Sequence, residues 1–166
     1  RSLAVQRVTA ACGGEAWLVE EHSLPLLALE FAFDGGANRD PADAAGSANL
    51  ISGLLDEGAG ELDAEAFQGR LADHAINLSF DARRDDFHSQ LQTLSQHREV
   101  AFELLGLALN APRFDADAVA RVKAQVIAGL QRQAQNPDVM CRNALFAAAF
   151  PGHPYGRPER GDVASV

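Results

Sequence analysis

Alternation of apolar and polar residues dominates the first third of the chain and is typical of β-strands with two different faces. The pattern predicts three strands, over residues 3–10, 15–22 and 25–33. Glycines 35 and 36 end the third strand and lead into a polar loop. A further alternating stretch, residues 76–95, predicts a β-hairpin whose charged tip, residues 83–86, lies in solvent.

Later segments repeat apolar residues with the 3.6-residue period of an amphipathic helix. They cover residues 64–75, 97–110, 116–135 and 137–150. Candidate N-caps precede three of these helices, at Asp63, Asp115 and Asn136, and Pro137 occupies a favoured first position. Strands and helices therefore occur in blocks rather than in strict alternation, which favours an α+β fold with an antiparallel sheet.

The segment 46–59, GSANLISGLLDEGA, predicts one more helix with an unusual polar face. Its apolar residues recur at positions i, i+1, i+4 and i+5 and form one stripe: Leu50, Ile51, Leu54 and Leu55. The opposite face carries Asn49, Ser52 and Gly53, which are small and uncharged. A glycine inside a helix costs about 1 kcal/mol relative to alanine, so this face requires an explanation.

Composition narrows the possible functions. The chain has 166 residues, which predict a single domain, and a net charge of −9, which disfavours binding to nucleic acid or to an anionic membrane. No apolar run approaches the roughly 18 residues of a membrane helix, so we expect no membrane insertion. Cys12 and Cys141 lack a metal-binding motif and are interpreted as buried or half-buried thiols, with a disulfide between them left open.

Motifs for other chemistries are missing from the sequence. The histidines are not spaced by three or four residues and are interpreted as surface or half-buried side chains: His22, His74, His88, His97 and His153. There is no serine nucleophile motif of the Gly-x-Ser-x-Gly type and no phosphate-binding glycine loop. The sequence alone therefore points to no conventional catalytic centre.

Three landmarks resemble a known family. A glycine- and arginine-containing loop at residues 36–46 precedes a helix, a long helix runs into Asn136-Pro137, and His-Pro-Tyr-Gly at residues 153–156 is followed by Gly161. In this order they resemble the amino-terminal domain of the pitrilysin-type zinc metallopeptidases, which include insulysin and mitochondrial processing peptidase. The resemblance implies a two-layer α+β domain, with an antiparallel sheet of about five to six strands packed against helices.

The resemblance also explains the unusual helix face. Active members of the family carry His-x-x-Glu-His on this helix, where two histidines hold Zn²⁺ and the glutamate is the general base. By this correspondence the ligand positions hold Asn49 and Gly53, the base position holds Ser52, and the third ligand position holds Gly129. None of these residues can take over zinc binding or general-base catalysis. The resemblance therefore implies a non-catalytic member without a catalytic base and without zinc of its own.

The same resemblance implies partners. We expect residues 1–166 to be one peptidase-like domain of a longer chain with a second similar domain, and zinc to occur only in an active partner subunit or domain. We further expect that the protein can form a homo-oligomer and that peptide substrate binds in a shared chamber. We also expect a periplasmic or otherwise exported location. Two alternatives stay open: an active zinc metalloendopeptidase with a displaced site, and an α+β domain that serves in protein interaction.

Overall fold

The computed structural model describes residues 4–166, and these form an α+β domain as predicted. The strands are β1 (Val5–Thr9), β2 (Glu15–Val19), β3 (Leu26–Asp34), β4 (Asn77–Ala82) and β5 (Asp86–Leu94). The helices are α1 (Ser47–Ser52), α2 (Ala64–Asp73), α3 (Arg98–Asn110), α4 (Ala116–Gln133) and α5 (Pro137–Ala149). The predicted start of the first strand at Leu3 lies outside the described residues.

The predicted sheet of about five to six strands is not one sheet, and each of its two parts has fewer strands than expected. Within residues 4–166 there are five strands in two antiparallel sheets, a β1-β2 pair and a three-stranded sheet in the order β3-β5-β4. The β1-β2 pair is exposed along its whole length, and Trp17 at its centre is 82% exposed. Within residues 4–166, β1 and β2 pair with each other and not with β3, so they form a sheet of their own.

The hydrophobic core lies between the three-stranded sheet and helices α2 and α3. Phe67 of α2, Leu91 of β5 and Leu104 of α3 are completely buried at its centre. Gln90 and Gln92, the neighbours of Leu91 on β5, are exposed, as the alternation in the sequence predicts. The predicted hairpin is confirmed, and it supplies one wall of this core.

Two of the three predicted N-caps make the expected hydrogen bond. The Asp63 side chain accepts from the backbone N–H of Ala66 at 2.9 Å, and the Asn136 side chain accepts from that of Asp138 at 2.9 Å. Asp115 immediately precedes α4, but its side chain makes no capping bond. Arg113 engages the Asp115 carboxylate instead, at 2.7 Å.

The helix that starts at residue 47 is shorter than predicted. It has six residues, and Gly53 is the residue after its end, where its N–H donates to the Leu50 carbonyl at 3.2 Å. Leu54 and Leu55 are buried in the turn that follows rather than on a continuing helix. Gly53 therefore does not occupy a helix interior, and the expected cost of such a glycine does not arise.

The hairpin tip is only partly solvated: residues 83 and 85 are exposed, as predicted, whereas residues 84 and 86 are half-buried. Arg84 lies with its guanidinium carbon 4.2 Å from the centre of the Phe146 ring and donates to the Tyr155 carbonyl at 2.8 Å. The Tyr155 hydroxyl donates to the Asp85 carboxylate at 2.6 Å. The sequence pattern could not show this because the partners lie about seventy residues away. These contacts attach the carboxyl-terminal segment to the sheet.

The prediction that both cysteine thiols are buried or half-buried is also wrong. Cys12 lies in the exposed turn between β1 and β2, and Cys141 lies on α5, which buries none of its residues. Both are free thiols. Within the described part of the chain, every helix is too short or too polar to cross a bilayer.

Candidate functional site

A buried carboxylate fixes the start of α1. Asp40 accepts hydrogen bonds from the backbone N–H groups of Gly46, at 2.8 Å, and Ala48, at 2.9 Å. Gly46 has φ +96°, which favours glycine, and a Cβ there would lie 2.6 Å from the Arg160 carbonyl oxygen. The carboxyl-terminal segment and the amino end of α1 are therefore in close contact.

Removing the Asp40 carboxylate is expected to destabilise the fold. An Asp40→Ala variant leaves two backbone N–H groups without acceptors, and we expect its free energy of unfolding to fall by about 2–4 kcal/mol. Asp40→Asn, whose amide oxygen still accepts one hydrogen bond, is expected to lie between this variant and the unchanged protein. Urea unfolding followed by circular dichroism measures both, and equal stability of all three proteins would contradict this role for Asp40.

An ion pair holds α4 beside α1. Arg121 of α4 makes two hydrogen bonds to the Glu57 carboxylate, at 3.0 and 2.6 Å, and Glu57 follows α1 in sequence. Val122, the next residue on α4, is buried, and one of its methyl groups lies 3.1 Å from the position that a Cβ would take at Gly53, so the two elements are also in close contact. This arrangement brings the polar residues of α1 to the side of α4.

The neighbouring Asp56 offers a test of pH dependence. Partial burial raises the pKa of the Asp56 carboxyl, and the hydrogen bond from Gln68 at 3.2 Å offsets this only in part. Because the pKa of Asp56 is higher in the folded state than in the unfolded state, the folded state binds the proton more tightly. The free energy of unfolding therefore decreases as the pH rises through the folded-state pKa and the carboxyl loses its proton. An Asp56→Asn variant is therefore expected to melt at a higher temperature than the unchanged protein at pH 7.

This advantage should disappear at pH 3, where the carboxyl is protonated in both the folded and the unfolded states. Asp43→Asn, at an exposed carboxyl, is the control and should show no comparable difference. A difference for Asp56→Asn that does not change between pH 7 and pH 3 would contradict the assigned cause.

The structure brings together all four residues that the sequence analysis placed at the former catalytic positions. They line one cavity of about 320 Å³ between α1 and α4: Asn49, Ser52, Gly53 and Gly129. The Ser52 hydroxyl donates to the Asn49 carbonyl at 2.8 Å, so it is already engaged. That these residues occupy the catalytic and metal-binding positions of the family stays a prediction. It requires the four residues to lie close together, and they do.

The residues of this cavity do not suit Zn²⁺. Protein ligands of zinc are imidazole, thiolate or carboxylate groups, whereas the four positions present one amide, one hydroxyl and two glycines without side chains. Arg160 also lines the cavity, and its charge opposes a cation. Across residues 4–166, no group of three or more histidines, cysteines or carboxylates is arranged to hold a metal ion.

The histidines take other roles. His153 accepts from the Tyr155 N–H at 3.2 Å and caps the short helical turn at residues 154–156. His74 and His97 lie with ring centres 5.2 Å apart in an edge-to-face contact, which the sequence did not predict. The histidines are exposed or half-buried, in agreement with the sequence analysis.

A second, larger cavity of about 620 Å³ lies between the end of α4, α5 and residues 158–163. Three residues line both cavities, namely Leu130, Gln133 and Arg160. The sequence analysis missed Arg160, because its only local signal is the position after His-Pro-Tyr-Gly. Its proximity to Asn49 arises from the folding of the carboxyl-terminal segment over α1.

Comparison with known proteins identifies the family. The model of the insulinase family, peptidase family M16, matches residues 19–162. The non-peptidase homolog YmxG of Helicobacter pylori is 29% identical over 147 residues, which are 89% of this chain and 34% of that protein.

Two solved structures share the fold. The peptidase M16 inactive domain from Pseudomonas fluorescens has a TM-score of 0.90 and 31% identity, over 99% of this chain and 40% of that one. A protease from Helicobacter pylori has a TM-score of 0.84 at 16% identity, with the same coverage, and shows the fold alone. This chain spans two fifths or less of the length of each of these proteins.

The family predicted from the sequence landmarks is therefore confirmed, as is its two-layer α+β architecture. The relatives named as a non-peptidase homolog and as an inactive domain agree with the expectation of a non-catalytic member. The chain belongs to the insulinase family of peptidases, family M16, as a homologue of its non-catalytic members.

Proposed function

We propose that this domain is the non-catalytic half of a peptidase assembly, in which it forms chamber wall and contacts peptide while a zinc-bearing partner cleaves it. The observation that supports the proposal most directly is the cavity between α1 and α4. It collects Asn49, Ser52, Gly53 and Gly129 in one place and offers no ligand for zinc. The domain keeps the fold of the family but lacks the catalytic side chains, and this combination suits a structural role.

The partner in this proposal is either a separate subunit or a second domain of the same chain. The length of the relatives is compatible with a second domain, since this chain covers about 40% of each matched solved structure. Zinc would be present only in that partner. We also propose that the assembly is exported and acts on peptides outside the cytoplasm. Cell fractionation tests this location.

The test compares the complete polypeptide that contains these residues, alone and mixed with a zinc-bearing family member from the same organism. We expect the polypeptide alone to contain no stoichiometric zinc and to cleave no peptide. The mixture should elute together in gel filtration, and the turnover of the partner should rise at least about tenfold because the chamber is complete. A partner variant without its catalytic glutamate is the control and should remain inactive.

Two results would contradict the proposal. A polypeptide that stays apart from the partner and leaves its turnover unchanged has no role as the non-catalytic half. Stoichiometric zinc in the polypeptide alone, with peptide cleavage that EDTA abolishes, would favour an active metallopeptidase with a displaced site.

A further inference from the structure

The two cavities at α4 lie side by side and share part of their lining. The smaller cavity ends at Asn49 and Ser52 of α1, the larger one extends to α5, and Leu130, Gln133 and Arg160 belong to both. We call the two cavities together the α4 cleft. Their lining follows α4 from Val122 to Ala134, so they offer contacts to an extended chain segment as well as to a compact small molecule.

Uncompensated positive charge marks this cleft. Arg142 of α5 and Arg160 line it, and neither forms an ion pair with a carboxylate of residues 4–166. The lining also contains two carboxylates, Glu159 and Asp162, and a third arginine, Arg84, so positive charges exceed negative ones by one. Glu159 lies 3.6 Å from the Arg84 guanidinium, and Asp162 accepts from the backbone N–H groups of residues 164 and 165.

This local charge contrasts with the chain as a whole. The net charge is −9, so the protein repels acidic ligands in general. Two unpaired arginines at a concave surface reverse that preference locally, because guanidinium groups bind carboxylates through paired, charge-assisted hydrogen bonds. The charge of the cleft therefore complements an acidic group.

The uncharged lining suits a peptide backbone. Asn49, Gln125, Gln133 and Asn143 line the cleft, and the side chains of these four make no hydrogen bond to the rest of the described protein. A side-chain amide both donates and accepts, so it can pair with the N–H and C=O groups of an extended chain. Met140, which is 57% exposed at the cleft, offers an adaptable apolar contact.

We propose that the α4 cleft binds an extended peptide through an acidic side chain, with Arg160 and Arg142 as the residues that recognise the carboxylate. The proposal rests on the proposed function for the origin of this peptide, which is the substrate in the shared chamber. It adds the substrate class, peptides with aspartate or glutamate, and names the residues that select it. Binding in the cleft requires no zinc and no partner.

The test measures binding of capped eight-residue peptides that carry a neutral dye, by fluorescence anisotropy with the complete polypeptide. The peptides differ only at two central positions, which are Glu-Glu, Gln-Gln or Lys-Lys, and acetyl and amide caps remove the terminal charges. We expect the Glu-Glu peptide to bind at least about tenfold more tightly than the Gln-Gln peptide. The Lys-Lys peptide should bind most weakly.

Variants assign the effect to the cleft. Arg160→Gln and Arg142→Gln should each weaken binding of the Glu-Glu peptide about tenfold and leave that of the Gln-Gln peptide unchanged. Arg132→Gln is the matched control, since Arg132 is an exposed arginine of α4 that lines neither cavity. Circular dichroism spectra establish that each variant is folded.

Three outcomes would overturn the inference: equal binding of the Glu-Glu and Gln-Gln peptides, equal loss in Arg132→Gln and Arg160→Gln, or no binding by the folded polypeptide. The result is separable from that of the partner experiment. Peptide binding without activation of a partner would contradict only the proposed function. Activation of a partner without peptide selection would contradict only the role of the α4 cleft.

Discussion

A Gly161→Ala variant is expected to lose about 3–5 kcal/mol of its free energy of unfolding, a large part of the stability of an ordinary domain. Gly161 has φ +73°, a conformation that costs an alanine about 1–2 kcal/mol. A Cβ there would also lie 2.1 Å from the Ala45 carbonyl oxygen, so the two backbone segments would have to separate. Urea unfolding followed by far-ultraviolet circular dichroism measures the loss.

Gly129→Ala is the matched control for this prediction. Gly129 lies inside α4, and a Cβ at this position meets no atom within 4 Å. Alanine is favoured over glycine in a helix, so this variant should gain about 0.5–1 kcal/mol. If Gly161→Ala were as stable as the unchanged protein, the close contact between residues 161 and 45 would not exist in solution.

The second large effect is a gain of zinc binding when the missing side chains are restored. The variant combines Asn49→His, Ser52→Glu, Gly53→His and Gly129→Glu, which supplies three ligands and a general base. Gly129 has open space for a side chain, and a Cβ at Gly53 lies 3.1 Å from a Val122 methyl group, which needs a small shift. We expect about one zinc per chain to remain after gel filtration.

A variant that keeps Gly53 but carries the other three substitutions is the control. It offers only two ligands and should lose its zinc during the same gel filtration, because two ligands rarely retain the ion. The unchanged protein should contain none. If the fourfold variant and this control retain equal zinc, the assignment of residues 49, 53 and 129 to ligand positions is incorrect.

Much of the fold could be predicted from the sequence because the signals are local. Alternation around Leu91 gave the correct inward face of β5, and the Asp63 and Asn136 side chains form the expected caps. The hydrogen bond between residues 153 and 155 likewise lies within a short motif. Each of these features depends on residues only a few positions apart.

Other features could not be predicted because their partners are distant. The length of α1 is set by packing, since Leu54 and Leu55 are buried in a turn although their spacing also fits a helix. Arg84 stacks on Phe146, sixty-two positions later in the chain, and so lies in a contact instead of in solvent. The place of Arg160 in the cleft could not be predicted for the same reason, since Asn49 and the other residues of the smaller cavity are distant from it in sequence.

The placement of the single tryptophan decides how unfolding of this protein must be observed. Trp17 is exposed on a two-stranded sheet outside the core, so its indole is already hydrated in the native state. Its fluorescence emission should change little when the core around Phe67 and Leu104 is lost. The same indole becomes a sensitive optical reporter for any strand or subunit that covers the β1-β2 pair, because its emission would then shift to shorter wavelength.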